Sequence, residues 1–274
     1  MGGSHSRPMA RDRVACHDSH CRQHRTPHLY CSASVWAVST SMRVLAFDMT
    51  ASRITVGIAR DGNAVGRWDA EATRGRSGTL DALIDQALSE SNWTRQDIDG
   101  LGVVTGPGSL TATRIGWATA SGWALAGNIP VTGWPAQATQ RRWWCKTDAL
   151  SRLGIANPEE HAVACVIHHR GDEFYLYHLS TDGEIGQPES IQLGKWAPTT
   201  GIPTVLVGSG IIGYRGRWVE SIGQSAVIVS EDHALVGGDV LAEWATEAIS
   251  DGHLLDPLKS PLDYGLPPQF RKAT

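Results

Sequence analysis

Two hydrophobic rhythms alternate along the chain. Arg43 to Met49 ("RVLAFDM") and Arg53 to Arg60 ("RITVGIAR") are apolar, β-branched runs separated by the polar turn "TAS". Asp61-Gly62, a hairpin-type dipeptide, then leads into a third strand over 63–72. From 78 to 91 the period lengthens, and Leu80, Leu83, Ile84, Ala87 and Leu88 fall on one helical face. A short buried strand is predicted over 100–105, a second helix over 109–126 and a strand over 129–134. A third helix over 135–144 has Pro135 at its first position. A similar order restarts later, with strands over 162–169, 173–180, 189–194, 203–210 and 226–230. The chain then forms a helix over 238–250 with Leu241, Trp244, Ala245 and Ala248 on its apolar face. The polar stretch between Thr147 and Glu160, with Gly154 and Pro158, marks the boundary between the two runs. Three strands followed by alternating α and β, twice over, predict an α/β protein of two ribonuclease-H-like lobes, 42–146 and 147–274. Helix 238–250 is expected to pack back on the first lobe.

Residues 1–41 follow neither rhythm. They hold three of the five cysteines and five of the eleven histidines. "CHDSHCRQHRTPHLYC" invites a zinc reading, with His20 and His24 four apart, but its ligand order fits neither a finger nor a ribbon. No hydrophobic frame surrounds it, so the stretch is expected to be a disordered extension, with Ser41-Met42-Arg43 the natural beginning of the folded chain. The apolar patch Val35 to Val38 is too short for the core of a secretory signal.

Setting that stretch aside changes the charge balance. It carries five arginines against two aspartates, which leaves 19 basic and 26 acidic residues in the body. Such an acidic body is a poor stand-alone RNA binder, because non-specific binding is mostly phosphate neutralisation. The two remaining cysteines, Cys145 and Cys165, have no disulfide pattern and fit a reducing cytoplasm. No apolar run has the 18 residues of a membrane span.

Two turns are candidates for chemistry. Asp48, Thr50 and Ser52 stand where an acid and small hydroxyl residues at a strand end can hold a metal-bound phosphate. The five residues 48–52 are equally those of a plain β-turn, and alone they favour it. Gly106-Pro107-Gly108-Ser109 precedes the second helix, and Ser109 or Thr111 can cap it. The free N–H groups of that helix start make an anion site. No lysine follows the second glycine as in a P-loop, and the spacing is not that of a dinucleotide loop, so capping is the better local reading.

The body of this helix lacks bulk. Positions 112, 116, 120 and 124 are Ala, Gly, Ala and Ala, and 118, 122 and 126 are Ala, Gly and Ala. Residues four apart share a face, so two adjoining rows are small. Gly costs about 0.5–1 kcal/mol against Ala inside a helix, so Gly116 and Gly122 require a close neighbour to explain them. Packing within the lobe and an interface with a partner helix are both open explanations. In the second lobe His168 and His169 are adjacent on a strand, face opposite ways and cannot readily share a metal. "VGSG" at 207–210 is a strand followed by a glycine turn.

Taken in order, "MRVLAFDMTASRITVGIA", "GVVTGPGSLTATRIGWATASGWALA" and "PVTGW" resemble the TsaB (YeaZ) proteins of bacteria. The fainter "HHRGDEFYLY", "VLVGSG" and "SPLDYGLPPQFR" extend the likeness over roughly 42–271. The GPGS-x-T-x-x-RIG block is its specific part. The resemblance implies the actin/Hsp70/sugar-kinase (ASKHA) fold and a non-catalytic, cytoplasmic subunit that supports TsaD, joined by TsaE. Together they place threonylcarbamoyl on the adenosine beside the anticodon of tRNAs reading A-starting codons.

On that resemblance the partner face, for TsaD or for a second copy, comprises Leu80, Leu83 and Ala87 of the first helix with Ala112, Arg114, Gly116 and Ala120 of the second. Asp48, Thr50 and Ser52 become a vestigial phosphate turn, and Gly106, Gly108, Ser109 and Thr111 a helix cap turn. No metal and no cofactor of its own are expected; ATP or ADP belongs to the assembled complex, and tRNA is met only through it.

The chain departs from the family pattern at Leu110 and Ala112, in "RGRSGTL" where a His-Ser pair is common, and at His168-His169-Arg170 where Asp-Ala-Arg is usual. The second lobe opens without the Asp-x-Gly phosphate loop that a kinase of this superfamily needs, and beyond residue 42 no His-x-x-x-His pair occurs. The alternative from another class is a small-molecule kinase or acyl-phosphate transferase using Asp48. No nucleophile–base constellation for a peptidase is evident.

Overall fold

The computed structural model describes residues 41–72, 76–146, 148–155, 157, 160–180, 184–199, 201–259 and 261–266. Apart from Ser41, the expected extension over 1–41 and its zinc reading lie outside the described residues.

The first sheet begins with β1 (Arg43–Asp48), β2 (Arg53–Arg60) and β3 (Asn63–Glu71), joined as an antiparallel meander. Asp61 and Gly62 both have positive φ, +54° and +78°, as a type I′ hairpin demands. Helix α1 (Arg76–Glu90) leads to β4 (Gly100–Val104), and α2 (Leu110–Gly127) leads to β5 (Val131–Trp134). These strands add in parallel to give the order β3-β2-β1-β4-β5.

After α3 (Ala136–Lys146) and α4 (Ala149–Arg152), the second half repeats the plan. β6 (Ala162–Arg170), β7 (Glu173–Leu179) and β8 (Glu189–Gln192) form the meander, and β9 (Thr204–Val207) and β10 (Ala226–Ile228) add in parallel. The resulting order, β10-β9-β6-β7-β8, is that of the first sheet read from its other edge. The duplicated ribonuclease-H-like unit read from the sequence is therefore present strand for strand. Two helices were not read from the sequence. α4 is a single turn, and α5 (Arg215–Ile222) is too short to display a period beyond its buried pair Trp218 and Ile222.

Packing crosses the boundary drawn at 146/147. Helix α3 lies against β6 and β7, and its Trp144 is buried with the core of the second sheet. α6 (Gly238–Ser250) returns the exchange by lying across β1, β2, β3 and β4. The first sheet is thus covered on both faces. Leu45 and Phe47 face the cluster built with α1 and α2, whereas Val44 and Ala46 face Leu241, Ala242 and Ala245 of α6. That two-sided burial is why "VLAF" is continuously apolar rather than alternating. The small residues of α6 permit unusually close approach, and a Cβ on Gly57 would collide with the backbone of Gly238.

Candidate functional site

At the C-terminal end of β1, Asp48 is only 4% exposed. Its Oδ1 accepts the Thr50 backbone N–H at 2.8 Å, the closed turn expected of an aspartate two residues upstream. Burial raises the Asp48 carboxyl above its ordinary pKa, against the lowering effect of its hydrogen bonds from Thr50. Burial of this kind disfavours the charged form and so weighs against a cation held at this turn. The start of α2 seals the turn. Ser109 donates its backbone N–H to the Thr50 carbonyl at 2.8 Å, and a Cβ on Gly108 would collide with that same carbonyl. The second glycine of the Gly-Pro-Gly turn therefore serves contact between two turns. Ser52 is exposed, beyond this closed point.

The capping expectation needs correction. Ser109 occupies the N-cap position of α2, but its side chain makes no capping hydrogen bond. Thr111 is already the second residue of the helix and is exposed. One orphan amide of the helix start is instead satisfied by the Thr50 carbonyl, so that N–H is not free for an anion.

The two small rows of α2 have different surroundings. Ala112, Gly116, Ala120 and Ala124 are all buried. A Cβ on Gly116 would lie 3.1 Å from Cγ and 3.2 Å from Sδ of Met49, and 3.6 Å from the Phe47 ring. On α1, Leu80, Leu83 and Ala87 are buried in the same cluster. Six of the seven residues expected to line a partner face thus hold the lobe together, because the helical face that looked free is the one its own sheet requires. Arg114, the seventh, is exposed.

The other row, Ala118, Gly122 and Ala126, is exposed, and a Cβ on Gly122 would meet nothing within 4 Å. Leu125, half exposed, stands beside it. Nearby, α1 presents Asp81, Asp85 and Glu90 to solvent, with Arg95 paired to Asp85 at 2.7 Å.

Between the start of α2 and the β6–β7 turn lies a cavity of about 610 Å³, lined among others by Gly108, Arg114, His169, Arg170, Tyr175 and Tyr264. His168 turns away from it towards Tyr214, whose hydroxyl lies 3.0 Å from Nε2, while His169 packs on the Tyr175 ring. Burial, the largest influence on it, and the neighbouring Arg170 charge hold the His169 pKa below its ordinary value. Arg170 is engaged by Glu173 at 2.8 Å. Among the described residues no cluster of three or more His, Cys, Asp or Glu side chains could hold a metal ion, and no helix is long and apolar enough to cross a membrane. Asp263, Tyr264 and Gln137, which meet near this cavity, were not singled out as site residues. The only signal in the sequence was the short closing block that contains the first two.

These features define the class: an α/β protein of two duplicated five-stranded lobes whose first-strand turn is closed by its own helix. The pattern of the TsaD family, tRNA N6-adenosine threonylcarbamoyltransferase, matches residues 70–134. The tRNA threonylcarbamoyladenosine biosynthesis protein TsaB of Escherichia coli (strain K12) is 26% identical over 220 residues, 76% of this chain and 91% of that one. A tRNA N6-adenosine threonylcarbamoyltransferase of Geotalea uraniireducens is 31% identical over 103 residues, which cover 29% of its length. YeaZ from Pseudomonas aeruginosa superposes with a TM-score of 0.60 at 22% identity, covering 81% of this chain and 99% of that one. Over most of its length the chain is thus similar to the TsaB (YeaZ) proteins.

Proposed function

We propose that this protein is a non-catalytic subunit of tRNA threonylcarbamoyladenosine biosynthesis, supporting a TsaD-type transferase joined by TsaE. The observation that carries the reading is the match to Escherichia coli TsaB over 91% of that protein's length. Burial of Asp48 in a closed turn supports the non-catalytic part, and weighs against the alternative of a kinase or acyl-phosphate transferase using Asp48. The partner face consists of the outward row of α2, Ala118, Gly122 and Ala126, flanked by Arg114 and the acidic side of α1. A small row lets another helix approach closely, and among the described residues Gly122 has no contact that explains it. The same face serves a homodimer when TsaD is absent. ATP or ADP is used by the assembled complex, tRNA is met only there, and the complex works in the cytoplasm.

The test is co-purification with TsaD and TsaE, followed by tRNA modification with the reconstituted set. Asp48→Asn should leave modification within a few-fold of wild type. Failure to associate contradicts the subunit role. A loss near a hundredfold with the complex intact contradicts the non-catalytic role.

A further inference from the structure

We infer that residues 261–266 form a latch that ties the two lobes together and sets the opening of the cavity between them. After α6 the chain runs back along the first sheet, where Leu255 donates its N–H to the Val131 carbonyl at 2.8 Å. It then reaches the far end of β4 and crosses towards the second lobe. Asp263 is the fixed point. Its N–H donates to the Thr105 carbonyl at 2.9 Å, and its Oδ2 accepts from Nε2 of Gln137 at 2.8 Å. Its Oδ1 accepts the Gly265 N–H at 2.8 Å, which folds the segment into a turn.

The approach is close on both sides. A Cβ on Gly106 would collide with the Asp263 carbonyl, and one on Gly265 would lie 2.7 Å from the Tyr175 ring of β7. Between those two points the Arg114 guanidinium of α2 lies over the Tyr264 ring, 5.6 Å from its centroid. Three consecutive residues, Asp263 to Gly265, therefore touch the β4–α2 turn, α3 and α2 at one end and the second sheet at the other. Tyr264 and Leu266 also form part of the cavity wall.

The carboxylate at 263 accepts from both donors, so its removal breaks the bond to α3 and the bond that closes the turn together. Charge-assisted bonds of this type are the stronger ones. Unlatching leaves each sheet intact, because none of these bonds belongs to a ladder. It exposes the β4–α2 turn and the edge of the β6–β7 hairpin, the two walls of the cavity.

Hydrogen exchange of the full-length chain tests the latch, with Asp263→Ala and Tyr264→Ala compared with wild type. Both variants should exchange roughly tenfold faster in the 105–114 segment and in β7 around Tyr175, with β1 and β4 unchanged, as expected for a local opening. Asp263→Asn, which keeps an acceptor at 263, should fall between Asp263→Ala and wild type. Faster exchange confined to 261–266, or wild-type rates in β7, would show that the segment does not couple the lobes. Acceleration that spreads through β1 would show a general loss of stability, and would equally overturn the inference.

Discussion

Two rows of small residues run side by side along α2, and the lobe itself uses only one of them. Ala112, Gly116, Ala120 and Ala124 lie against Phe47, Met49 and the rest of the first core, and there a small side chain is a packing requirement. Ala118, Gly122 and Ala126 face outward, and among the described residues none neighbours a Cβ at Gly122. The residue types are nearly the same, but one row is explained by packing within the fold and the other is not. Small residues in a helix indicate that something comes close; their burial shows which close neighbour is already present.

Enlarging the inward row should produce the largest effect. Gly116→Leu must displace Met49 and press on Phe47, and overpacking of this kind costs about 1–3 kcal/mol. Helix propensity returns somewhat under 1 kcal/mol of that. At roughly 2–4 °C per kcal/mol for a chain of this size, the melting temperature should fall by a few degrees. Unchanged melting would mean that the flexible Met49 side chain yields, and that the inward row is not a packing constraint.

A smaller effect is expected where the start of α2 closes over Asp48. The folded-state pKa of this group is raised, so its contribution is most favourable when the acid is protonated, below the unfolded carboxylate value, and is lost as pH rises through the folded pKa. Asp48→Asn, which keeps an acceptor for the Thr50 N–H, should therefore be as stable as wild type or more so at neutral pH. That advantage should shrink as pH falls into the acid range. Thermal unfolding between neutral and acid pH measures it. A variant less stable than wild type at neutral pH would show that the charged carboxylate is wanted there, and would reopen a ligand role for the turn.

The two-lobed strand plan was readable from the sequence because strand runs and turn dipeptides agreed with one another, with three strands opening each half. Of the two helix exchanges, that of α6 was among the expectations and that of α3 onto the second sheet was not. Helix α6 shows an apolar face in its period, but the sheet it covers is decided by tertiary packing, such as the Gly57–Gly238 approach. The site was legible as a list of positions and not as a direction. Ala112 and Ala118 are both alanine on α2, and the six-residue offset that buries one and exposes the other depends on where the sheet lies. The hydrogen bond between Gln137 and Asp263 joins residues 126 positions apart, and no local pattern announces it.

The measurement that tests the account most directly is Gly122→Leu, taken through thermal unfolding and binding to TsaD on the same preparation. Gly122 has open space around it, and leucine raises helix propensity by somewhat under 1 kcal/mol, so the isolated protein should melt no lower than wild type. If the outward row receives a partner helix, the added side chain should weaken association roughly tenfold to hundredfold. Binding at wild-type affinity with a fold of wild-type stability would place the partner elsewhere and contradict the assignment of this face.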